Sequence, residues 1–87
     1  MYPAWRVLWD AQREDWMLTF RPSRPQCHEL FDWVLDLVED GPPAEATPVP
    51  GSVSTLLFDI ENARASVAFI VWPGEPKTIG FVEIVSY

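Results

Sequence analysis

The sequence is poor in the residues that bind nucleic acid and in those that carry most covalent chemistry. Six Lys and Arg stand against thirteen Asp and Glu, a formal net charge of −7. A surface of that sign repels a phosphate backbone and favours basic partners or plain solubility, so direct nucleic-acid binding is not expected. The positive charges are unevenly placed: Arg6, Arg13, Arg21 and Arg24 come early, and only Arg64 and Lys77 follow Asp40. There is one cysteine and one histidine. Cys27 has no internal disulfide partner, and its place on an apolar helical stripe favours a buried, inert thiol over a nucleophile. His28, beside that stripe, reads as a partly exposed surface residue rather than a catalytic base. The carboxylates are scattered, and metal-ligand spacing, a glycine-rich phosphate loop and a nucleophile elbow are all missing, so no metal or cofactor is expected. No stretch approaches the ~18 apolar residues of a membrane span and no leader-like start is visible, so the expectation is a cytoplasmic protein without membrane association.

What the chain has is apolar and aromatic content. At 87 residues, 48% hydrophobic and 14% aromatic, it is large enough for one core without disulfides and too small for two, so residues 1–87 are expected to form a single domain. The segment from Pro25 to Gly41 is the most strongly patterned. Cys27, Leu30, Phe31, Val34, Leu35, Leu37 and Val38 recur at helical spacing and predict an amphipathic helix with these residues turned to the core. Ser23 and Arg24 followed by Pro25 mark its start; Gly41 with Pro42 and Pro43 marks its end. Its outer face carries Glu29, Asp32, Asp36, Glu39 and Asp40 with no Lys or Arg.

The other segments follow from changes of period. Residues 2–9, YPAWRVLW, alternate Trp5, Val7 and Trp9 against Arg6 and Leu8 and predict a first strand. Residues 10–20 read as a short helix capped by Asp10, with Trp16, Met17 and Phe20 on one side. The competing reading is a hairpin in which residues 10–15 turn and 16–20 return as a strand. The connection GPPAEATPVPGS holds Pro42, Pro43, Pro48 and Pro50 and reads as an extended crossing without regular structure. From Val53 onward the period is two, in VSTLLFDI, RASVAFIVW and KTIGFVEIVSY, which predicts a three-stranded antiparallel meander. Ala65, Val67, Phe69 and Val71 share one face of its middle strand. The opposite face, with Arg64, Ser66, Ala68, Ile70 and Trp72, is still largely apolar, so both sides are expected to be at least partly covered. Gly80 marks either a bulge or a close approach of a neighbouring backbone. The expected fold is α+β, in the order β-α-α-β-β-β, with two helices packed on one face of a four-stranded, mainly antiparallel sheet.

That order resembles the RelE/ParE superfamily of toxins from bacterial and phage toxin-antitoxin modules, in the branch that includes Gp49-like and HigB-like proteins. The resemblance spans nearly the whole chain and rests on WRVLW, on DWMLTF closing a helix, on LFDWVLDLVEDGPP, and on RASVAFIVWP in the hairpin. It implies a toxin or toxin-related component held by an antitoxin, either an mRNA endoribonuclease, whose chemistry in the cleaving members lies on the concave sheet face, or a poison of another cellular target. Arg64 matches the Arg that starts the central hairpin strand in that family, with Ser66 taking its place under a shifted alignment. Tyr87 sits where some members have a functional C-terminal aromatic. An Arg would stabilise phosphorane charge and a Tyr hydroxyl would move a proton, so Arg64 and Tyr87 are the candidate catalytic residues. The chain departs from the family at Glu83, where members commonly carry a base, and Asp59 adds a second carboxylate to the same expected sheet face.

A second reading comes from charge. Uncompensated carboxylates along one helix repel one another, and those near its C-terminus oppose the helix dipole, a cost that a basic partner would recover. Asp32, Trp33, Asp36, Glu39 and Trp72 are then candidate partner-binding residues of a non-catalytic, acidic protein-binding module. Its partner is an antitoxin or another basic protein, and a homodimer is an alternative assembly. Five tryptophans in so short a chain exceed what one small core readily hides, which favours Trp33 or Trp72 as an interface anchor.

Overall fold

The computed structural model describes residues 5–87; the part of the expected first strand that falls on Tyr2, Pro3 and Ala4 lies outside them. Two helices pack on one face of a five-stranded sheet. The elements are β1 (Arg6–Leu8), α1 (Asp10–Phe20), α2 (Arg24–Asp40), β2 (Thr47–Pro48), β3 (Thr55–Ile60), β4 (Ala65–Trp72) and β5 (Thr78–Ser86), with a 3₁₀ turn at Glu61–Ala63 before β4. The sheet order is β1-β5-β4-β3-β2. The α+β class and the helical pair agree with the sequence, while the sheet has five strands and is mixed rather than four-stranded. β1 runs parallel to β5, and β2 adds an antiparallel edge of two residues to β3. The proline-rich connection therefore contributes a strand after all. Pro48 is tolerated there because an edge strand has one side on which no N–H is required.

Residues 10–20 are helical, not a hairpin. Trp16 is the only residue of α1 that is buried, and its indole Nε1 donates to Ser86 Oγ at 2.8 Å, which ties α1 to the end of β5. α2 starts with a capping box: Ser23 Oγ accepts from the Gln26 N–H, and the Gln26 side chain accepts from the Ser23 N–H. Gln26 also donates to the Ala63 carbonyl at 3.0 Å, fixing the helix start against the 3₁₀ turn. At the other end the Gly41 N–H bonds to the Leu37 carbonyl. Gly41 has φ 81, and a side chain there would run into the Trp5 indole, so both its conformation and its surroundings require glycine.

The core lies between the helices and the inner sheet face. Trp16, Leu30, Val34 and Leu37 meet Ile60, Ala65, Val67, Phe69, Ile79, Phe81 and Ile84. Phe31 and Leu35, expected inside, are exposed. Leu30, Val34 and Leu37 are the buried residues of α2, and Trp33 and Cys27 pack beside them, so α2's apolar stripe is wider than the surface it packs on. Cys27 is half-buried rather than buried.

Candidate functional site

The pairing register places side chains on the uncovered sheet face in rows, because residues alternate sides along each strand. Arg6, Thr78 and Trp72 form the first row. Leu8, Gly80, Ile70 and Thr55 form the second, followed by Glu83, Ala68, Leu57 and Thr47. Val85, Ser66 and Asp59 form the last. The face is thus apolar through its middle, with two carboxylates toward one end and Arg6 at the other. Antiparallel faces turned to water usually carry polar residues; this one exposes Leu8, Trp72 and Val85. Both helices pack on the inner face, and on the opposite face of β4 Ser66, Ala68 and Ile70 are half-buried, in keeping with the expected partial cover, while Arg64 and Trp72 are exposed.

Two local features shape this face. Phe81 opposes Phe69 while Glu83 opposes Ala68, so Val82 is an extra residue and β5 bulges there. Phe81 and Ile84 consequently both point inward, and Glu83 falls in the outer row at the β5 edge, where it also lines a cavity with Ala11, Gln12 and Asp15 of α1. Gly80 is not the bulge, and its close neighbour is a ring rather than a backbone: Trp72 reaches over it from the adjacent strand. Asp59 accepts a hydrogen bond from Ser66 Oγ across the strand pair, which holds its carboxylate at the end of the face.

Arg64 and Tyr87 are brought together by the backbone, with the Tyr87 N–H donating to the Arg64 carbonyl at 3.0 Å. They follow the row of Asp59, Ser66 and Val85, in which Asp59 is the one charged residue. Both are exposed. The cavities between α1 and α2, beside α1 and β5, and beside β2 and β3 are lined by neither. Arg64 adopts a left-handed conformation, φ 52, closing the 3₁₀ turn with its N–H on the Glu61 carbonyl.

The five candidate partner-binding residues do not form one surface. Asp32, Asp36 and Glu39 are exposed on the outside of α2. Trp33 is on the core side of that helix, stacked on Phe58 at 5.4 Å and edge-on to Phe69 at 6.1 Å. Trp72 lies on the far side of the sheet, on the open face. Trp33 lies three residues after Leu30 and four before Leu37, so the period of α2 itself places it inside; which sheet face the helices cover is a long-range property, and it decides Trp72.

No family model, curated protein or solved structure matches the chain. Among the described residues no three His, Cys, Asp or Glu side chains converge as metal ligands would, and no helix is long and apolar enough to cross a membrane. The residues that sequence reasoning missed are Leu57, Ala68 and Ile70. Each is an apolar residue on a strand that also faces a core, and only the cross-strand register shows that they share the uncovered side. The period-two pattern of β4, apolar on both faces, was the available signal.

Proposed function

We propose that this chain is a protein-binding module whose open sheet face receives a basic, amphipathic segment of a partner. One observation carries the reading: the face that neither α1 nor α2 packs on is apolar through Leu8, Leu57, Ile70 and Trp72 and carries Asp59 and Glu83 toward one end. Exposed apolar patches with a polar border mark interaction sites. The partner's apolar side chains lie over the middle rows, with Trp72 as the aromatic anchor, and its Lys or Arg side chains pair with the two carboxylates. Within a toxin-antitoxin module an antitoxin of that chemistry is the fitting partner, and the acidic outer face of α2 is a competing surface for the same class of protein.

The test is to recover a partner from the native host, identify it, and measure its affinity at about 0.05 and 0.5 M salt, where exposed charge pairs are respectively little and strongly screened. The reading expects a basic partner that binds more weakly at high salt and that is lost on Trp72→Ala. A partner indifferent to both changes counts against it.

The adjacency of Arg64 and Tyr87 supports a second reading, an RNA-cleaving toxin. Charge opposes it, because phosphoryl chemistry needs bases around the developing charge and this end of the sheet supplies Asp59 and Glu83. Inducing the chain alone and following growth and message integrity tests it: arrest that depends on Arg64 supports cleavage, and unchanged growth opposes it.

A further inference from the structure

On the opposite side of the molecule, between α1 and α2, lies a groove of about 260 Å³. The buried Trp16 and Leu30 line it, and Trp9, Met17 and Phe31 form its apolar walls. Met17 and Phe31 are 46% and 49% exposed, so two large apolar side chains stand open to water on either side of the same opening. The walls are held in place from behind: Trp9 is 6.3 Å from Phe31 and edge-on to the core residue Phe81 at 6.0 Å. The groove is slightly smaller than the ~300 Å³ at which drug-sized ligand pockets begin, so it suits a small molecule only.

The polar lining is what sets this groove apart from the rest of the surface. Arg13 and His28 line it, and none of the thirteen Asp and Glu does. The Arg13 guanidinium lies over the Trp9 ring, 5.2 Å from its centroid, which orders its planar fork at the edge of the apolar walls. Outside the groove the balance reverses, with Asp10 and Glu14 near Arg13 on α1 and Glu29 and Asp32 near His28 on α2. A long acidic peptide would meet those carboxylates, and a basic one would meet Arg13. A compact molecule with a single negative group avoids both.

We propose that the groove binds a small amphiphilic carboxylate, an aromatic or short-chain acid whose apolar body lies between Trp9, Met17 and Phe31 and whose carboxylate is paired by Arg13. The pairing is of the two-pronged kind that a guanidinium makes with a carboxylate. This site is independent of the open sheet face.

Naphthoate and its neutral amide, titrated separately into the full chain and followed by amide chemical shifts, test the proposal. Naphthoate is expected to give saturable shifts at Trp9, Arg13, His28 and Phe31, and the amide to bind about tenfold more weakly because it lacks the charge-assisted pair. Arg13→Met keeps an apolar stem on an exposed position and is expected to erase the difference between the two ligands. Phe31→Ala is expected to weaken both. The proposal is overturned by equal binding of acid and amide, by a preference that survives Arg13→Met, or by shifts that are absent or lie away from the two helices.

Discussion

The Trp72 ring occupies the space that a side chain at Gly80 would need: a Cβ at Gly80 falls 2.6 Å from Cζ3 and 3.0 Å from Cη2 of the indole. Ile70, not Trp72, is directly opposite Gly80, so the ring reaches diagonally across the strand pair toward the middle of the open face. Glycine thereby fixes where the largest side chain of the proposed docking surface lies. Gly80→Ala is expected to push the ring away, at a cost of about 1 kcal/mol because a half-exposed indole moves more easily than a buried one. Made together with Trp72→Ala, it should cost less than the sum of the two single changes. Denaturant midpoints of the four proteins check this; strict additivity would show that the ring does not rest on Gly80.

The bond between Trp16 and Ser86 joins the first helix to the last strand. Ser86→Ala leaves the indole N–H without its partner in a nearly closed site, and a loss of about 1–3 kcal/mol is expected. Urea unfolding measures it, and a loss below a few tenths would mean that water replaces the hydroxyl at no cost.

Trp33 separates a core role from an interface role. Stacked among three phenylalanines, it is expected to cost about 3 kcal/mol or more when replaced by Ala, in the range of aromatic deletions from cores. A Trp serving mainly as a partner anchor would leave stability nearly unchanged while abolishing binding, so thermal unfolding of Trp33→Ala distinguishes the two.

Arg64 holds a left-handed backbone conformation that glycine adopts without penalty. Arg64→Gly is expected to stabilise the chain by up to about 1 kcal/mol while removing the guanidinium. It is therefore a cleaner test of a toxin mechanism than an alanine change: loss of any growth arrest in a protein that is at least as stable would assign the loss to chemistry, and retained arrest would remove Arg64 from it.

How far the fold can be read from the chain differs by element. α2 is legible at both ends because Ser23 with Pro25 and Gly41 with Pro42 and Pro43 are local signals; the part Gln26 plays in the capping box is seen only in the structure. α1 is ambiguous for a physical reason: it buries only Trp16 and leaves Met17, Leu18 and Phe20 exposed, so its amphipathic signal is weak. The alternation of Arg6, Val7 and Leu8 predicts a strand, but nothing in it says that the strand runs parallel to β5. The two residues of β2 are hidden by the prolines around them. Of the candidate site, the carboxylates of Asp59 and Glu83 are visible in the sequence as two acids on one expected sheet face. Their company with Leu57, Ile70 and Trp72 follows from register and from which face the helices cover, and both are long-range properties.

The central claim is that the partner docks on the open sheet face, and it is tested most directly by paired charge reversals. With an identified partner in hand, Asp59→Lys with Glu83→Lys is compared against Asp32→Lys with Asp36→Lys on the outside of α2. The account predicts that the sheet pair weakens binding by about tenfold or more, as expected when oppositely charged groups at an interface become like-charged, and that the helix pair changes it less than about twofold. Binding that survives the sheet reversals and is lost with the helix reversals would contradict it.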